Sequence, residues 1–67
     1  MLDIKKALDH WMYDRRLNQS SLSAISGVDR TTLNLAYNEH RLPSVATLEK
    51  LARACDVKVS EFIAAGE

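Results

Sequence analysis

The sequence predicts an all-α fold, a compact bundle of five short helices. Three observations predict it. Apolar residues recur at helical spacing in separate segments. Capping residues (Asp3, Asn18, Asp29 and Ser44) precede four of the segments, with Gly27 and Pro43 punctuating between them. The intervening stretches are short, about 2 to 6 residues, as in a bundle. At 67 residues the chain has room for one domain, taken as residues 1–67. A domain of this size buries only about 60% of its unfolded surface, so each core residue matters.

The first helix is expected over residues 3 to 16. Ile4, Ala7, Leu8, Trp11 and Met12 fall at steps of 3, 1, 3 and 1 and form its inner stripe. Asp3 stands at the N-cap, and Arg15 and Arg16 suit the negative pole at the end. Leu17 is expected to fold back onto the core. Asn18 caps a second helix from Gln19 to about Ser26, with Leu22 and Ile25 as its buried face. Gly27 follows, where a positive φ commonly ends a helix. Val28 plugs the turn. Asp29 caps a third helix from Arg30 to about Asn38, with Leu33, Ala36 and Tyr37 inward and Arg30, Thr31, Asn34, Leu35 and Asn38 outside or at the margin.

Glu39 to Pro43 form a polar loop, and Pro43 turns Leu42 away from helical backbone. Ser44 caps a fourth helix from Val45 to about Cys55, striped inward by Leu48, Leu51, Ala52 and Cys55. A last short helix runs from about Val59 to Ala64 around Phe62. The residues from Ala64 to Glu67 are expected to fray.

Charge gives a divided message. Nine basic and nine acidic residues cancel, which runs against a nucleic-acid binder, since phosphate neutralisation carries much of such affinity. Between residues 15 and 44, however, four arginines face two acids, and both flanking segments carry a net negative charge of one. No apolar run approaches the roughly 20 residues of a membrane span, and no basic leader with an apolar stretch opens the chain. The single cysteine, Cys55, has no internal disulfide partner and reads as a small core hydrophobe, in keeping with a reducing cytoplasm. Cys55, His10 and His40 match no metal-ligand spacing. Nothing resembles a nucleophile with its base or a glycine loop for phosphates. An enzyme is therefore not expected, nor a cofactor or metal.

The joint spacing of Leu17-Asn18-Gln19, Leu22, Gly27-Val28-Asp29-Arg30-Thr31-Thr32-Leu33, Pro43-Ser44, Leu48, Leu51-Ala52 and Val57 resembles the Cro/C1-type (Xre-like) helix-turn-helix family over roughly residues 4 to 63. The likeness is nearer to its short stand-alone regulators than to large repressors. It implies a five-helix lambda-repressor-like domain whose second and third helices form the helix-turn-helix. It further implies a cytoplasmic, sequence-specific regulator of transcription, commonly a repressor, bound as a homodimer to double-stranded DNA. The third helix would enter the major groove while the second crosses the backbone.

Carried over to this chain, the resemblance implies base contacts from Arg30, Thr31, Asn34 and Leu35. Arg30 would pair with guanine O6 and N7, Asn34 with adenine N6 and N7, and Thr31 or Leu35 would meet a thymine methyl. It implies backbone contacts from Gln19, Thr32, Asn38 and Arg41. Blander readings stand beside these. Thr32 can pack beside Leu22, Leu35 can be core or dimer surface, Asn38 can cap its helix, and Arg15, Arg16 and Arg41 can be solvated charges. The family often has glycine where Glu39 stands, and a serine or threonine where Asp29 stands. An alternative is an antitoxin or protein-interaction module of the same fold, with a toxin or other protein as partner. A homodimer would meet near Ile63 and Ala64.

Overall fold

The computed structural model describes residues 2–67, and all its regular elements are helices: α1 (Ile4–Asp14), α2 (Gln19–Ser26), α3 (Arg30–Glu39), α4 (Val45–Ala54) and α5 (Val59–Ala64). The all-α, five-helix expectation holds, with helix ends moved by one or two residues. The bundle measures 27 × 24 × 21 Å. α1 packs on α3 and α5, α2 on α3 and α4, and α4 on α5.

One cluster of buried side chains joins every helix. Ile4, Ala7 and Leu8 come from α1, Leu22 from α2, Leu33 and Ala36 from α3, Leu48, Leu51 and Ala52 from α4, and Phe62 from α5. Val28 fills the α2–α3 turn and Cys55 the end of α4, as their positions suggested. Phe62 is fully buried, stacks on Trp11 at 6.4 Å between ring centroids, and accepts the indole N–H of Trp11 at its carbonyl, 3.2 Å away. Burial pushes the Cys55 thiol above its ordinary range, so it serves here as packing.

Capping fixes three of the entries. Asp3 accepts the Lys6 amide at 3.1 Å, and Ser44 accepts that of Thr47 at 3.2 Å. Asn18 and Ser21 form a reciprocal box at 2.8 and 2.9 Å. Asp29 departs from expectation, because its side chain accepts no amide of α3. It is exposed, so no burial forces the carboxylate to close the cap bond.

Helix exits rely on left-handed residues. α1 stops two residues before its expected end because Arg16 takes φ 57°. The Arg16 amide then donates to the Tyr13 carbonyl and that of Leu17 to the Met12 carbonyl, a Schellman closure that returns Leu17 to the core. Asp56, at φ 59°, closes α4 the same way, with its own amide on Arg53 and that of Val57 on Ala52.

Two further expectations are overturned. Ile25 is 55% exposed, not buried. At about 100° per residue, the inward stripe of α2 runs through Gln19, Leu22, Ser23 and Ser26, and Ile25 falls off its edge. The chain end does not fray. Gly66 is buried, and its carbonyl accepts the Asp3 amide at 2.9 Å. A Cβ at Gly66 would lie 2.6 Å from the Asp3 carbonyl oxygen, so only glycine permits this approach to α1.

Candidate nucleic-acid interface

The turn between α2 and α3 aims everything that follows. Gly27 takes φ 74°, where L side chains are disfavoured, and its amide donates to Ser23. Two half-buried serines of α2, Ser23 and Ser26, then tie the turn from inside. The Ser23 hydroxyl donates to the Val28 carbonyl at 2.6 Å, and the Val28 amide donates to the Ser26 hydroxyl at 3.1 Å. Their place on the inward stripe is why α2 gives that face to polar residues. Periodicity alone passes over Ser23 and Ser26. The signal that could find them is serine at one and four residues before a turn glycine, where a hydroxyl can reach the turn backbone.

With Leu33 and Ala36 held in the core, the opposite side of α3 is turned outward. Arg30, Thr31, Asn34 and Leu35 line one open depression of about 340 Å³. Arg30, Thr31 and Asn34 are exposed, while Leu35 is half-buried at its edge. Among the described residues the side chains of Arg30 and Thr31 make no hydrogen bond or ion pair. Asn34 is engaged: the Asn38 amide nitrogen donates to its Oδ1 at 2.7 Å.

Gln19, Thr32 and Arg41 lie outside the depression. Gln19 is the first residue of α2 and half-buried, and Thr32 is half-buried in the first turn of α3. α3 continues one residue beyond Asn38, through Glu39, and the left-handed reversal falls to His40 at φ 55°. The Glu39 carboxylate is thus helical and lies 3.7 Å from Nε of Arg41, offsetting its charge. Arg15 belongs to the scaffold. Its Nε donates to the Cys55 carbonyl at 2.9 Å, it pairs with Asp14, and it lies 5.3 Å from the centroid of the Trp11 ring.

A polar link fastens α3 to α1. The Tyr37 hydroxyl donates to Asp9 at 2.5 Å, and Lys5 lies 3.3 Å from the same carboxylate and 4.9 Å from the Tyr37 ring centroid. The Tyr37 hydrogen bond is the main cause holding the Asp9 carboxyl below its ordinary range, and Lys5 adds to it. The same bond pushes the Tyr37 phenol up, and Asp9 raises Lys5. All three groups lie near solvent, so the link orients more than it stabilises.

The arrangement is a short, solvent-facing helix with a cation and small polar groups at its start. A tight turn lies behind it, and a second helix packs against it. The family model for the Cro/C1-type helix-turn-helix DNA-binding domain matches residues 7–65. The chain belongs to this family. Its helix-turn-helix is α2 and α3, and it is a DNA-binding protein of the regulator type. No curated protein matches the chain. No helix among the described residues is long and apolar enough to cross a membrane.

Proposed function

We propose that residues 1–67 act as one domain, a sequence-specific transcriptional regulator in the cytoplasm that reads the major groove with α3. The observation that carries this reading is the shared depression of Arg30, Thr31, Asn34 and Leu35 on the face of α3 opposite its core residues. Arg30 supplies the bidentate donor for guanine, with Thr31, Asn34 and Leu35 completing base contact. Gln19, Thr32, Asn38 and Arg41 hold phosphates on either side, which fixes register without reading sequence.

Zero net charge makes one copy a weak phosphate binder, which supports a homodimer. Exposed Ala64 and half-buried Ile63 lie at the end of α5 and take no part in lining the α3 depression. Joining two copies there would set two α3 helices about 34 Å apart, one turn of DNA. Selection from random duplexes at low salt tests the reading. A recovered two-fold motif with half-sites one helical turn apart is expected, and recovery of no preferred duplex would sink it.

A second reading rests on the apolar side chains left in solvent. Tyr13 is 88% exposed, and Leu42 and Val45 are also open. They favour a protein partner such as a toxin, in addition to DNA. Co-purification of a partner in fixed stoichiometry, lost on Tyr13→Ala or Leu42→Ser, would support it. Its retention by both variants would remove these residues from the case.

A further inference from the structure

We infer that Asn38 determines which base Asn34 accepts, by holding the Asn34 amide in one of its two flat orientations. This deepens the reading of α3 as the base-contacting helix and rests on it. Asn34 and Asn38 lie one turn apart on the same face of α3, and both are exposed. They bond to each other through Asn38 Nδ2 and Asn34 Oδ1 at 2.7 Å.

A side-chain amide has a donor end and an acceptor end, and a half-turn of its plane exchanges them. The bond to Asn38 turns the acceptor end of Asn34 toward Asn38. Asn34 lines the depression beside Arg30, Thr31 and Leu35, whereas Asn38 stands outside it. The end of Asn34 left for the depression is therefore its nitrogen, with both protons free. An unconstrained asparagine favours adenine, donating to N7 while accepting from N6. With Oδ1 already engaged, Asn34 offers donors first. Base edges that present acceptors, guanine N7 and O6 or thymine O4, gain over adenine, and cytosine with its N4 donor is disfavoured most. Asn38 is on this account a positioning residue for base selection, beyond any phosphate contact of its own.

The test uses the full chain. A duplex selected with the wild-type protein is bound by Asn34→Ala, and the base pair where preference disappears is the one facing Asn34. All four bases are then placed at that pair and titrated with wild type, Asn38→Ala and Asn38→Asp. Wild type is expected to favour guanine or thymine there. Asn38→Ala frees the amide, and adenine gains about 2- to 10-fold relative to guanine, the range of one modest hydrogen bond. Asn38→Asp can only accept, so Asn34 turns its nitrogen inward and presents Oδ1. Cytosine then gains relative to guanine, whatever uniform loss the added negative charge brings.

Thermal melts of Asn34→Ala and Asn38→Ala are expected to match wild type, since both residues are exposed. Identical base profiles for the three proteins would overturn the inference, as would an equal loss on all four bases by Asn38→Ala, which marks a phosphate contact. Absence of any base pair sensitive to Asn34→Ala would overturn it too. If wild type selects no preferred duplex at all, the base-reading assignment falls and this inference with it. A preferred duplex with coincident profiles removes only the role of Asn38.

Discussion

The inner and outer sides of α3 set two regions of the molecule against each other. Inward, Leu33 and Ala36 join a cluster that runs through Leu8, Leu22, Leu51 and Phe62, every member nearly or fully buried. Outward, Arg30, Thr31 and Asn34 touch little of the protein. The inner side is specified by volume and apolarity, so its parts depend on one another. The outer side is specified by aim: it needs the Gly27 turn, the serine ties behind it and the Asp9–Tyr37 link, and none of its own side chains carries the fold. Chemistry for a ligand can therefore vary on one side while stability resides on the other.

The sharpest way to break this comparison is at Phe62. Phe62→Ala empties the centre of the core and should cost about 3–5 kcal/mol. A domain of this length holds only about 3–10 kcal/mol in total. Urea titration followed by circular dichroism should find the variant largely unfolded; a midpoint near that of wild type would show that the inner side is not cooperative. Gly66→Ala comes next. It forces a Cβ against the Asp3 carbonyl and should destabilise by about 1–3 kcal/mol. Accelerated amide exchange at Asp3, whose bond to Gly66 would be lost, is the expected sign.

Arg30→Ala probes the other side. It should leave the melting temperature in place yet lower affinity for the preferred duplex by about 1–3 kcal/mol, relaxing preference at one base pair. A large fall in stability with unchanged base preference would reverse the assignment of the two sides. Arg16→Gly sharpens the scaffold in the opposite direction. A non-glycine residue in the left-handed region costs about 1–2 kcal/mol, partly offset by the entropy of glycine. A net gain of about 0.5–1 kcal/mol in thermal or urea stability is expected.

The smallest effect belongs to Tyr37→Phe. The Asp9 carboxyl is depressed in the folded protein, so the stabilisation it brings is present above the ordinary value of 3.8 and is lost as pH falls through the lower folded value. The melting difference between wild type and Tyr37→Phe should be small near neutrality and vanish on acidification through that window. A difference that persists at low pH would mean that the Tyr37 hydroxyl stabilises the fold independently of the Asp9 charge.

Much of this was legible in the chain itself. The apolar steps in residues 4–12 and 48–55 located α1 and α4 because a helix buries one face and the side-chain period is fixed. Asn18 and Ser44 marked helix starts because their oxygens satisfy amides left open there. Ile25 misled because an eight-residue helix shows too few positions to fix the direction of its buried face. Asp29 misled because a capping residue in solvent need not close its bond. The set on α3 was named from the resemblance, and its members Arg30, Thr31, Asn34 and Leu35 do share one depression. The pairing of Asn34 with Asn38 is not legible in the sequence, since four residues of spacing permit the bond without selecting which amide donates.

What the sequence alone determined was local: the number and kind of helices, most of their starts, the core stripe of each longer one, and the turn at Gly27. These follow from spacing and from backbone preferences that act within a few residues. The tertiary structure decided the rest, because it turns on residues far apart in the chain. Gly66 must meet Asp3 for the chain end to dock, Tyr37 must meet Asp9 to fasten α3, and Arg15 must meet Cys55 to be drawn into the scaffold. No local preference encodes those meetings. They arise when one shared core fixes every helix at once, and with that the outer side of α3 is left facing solvent.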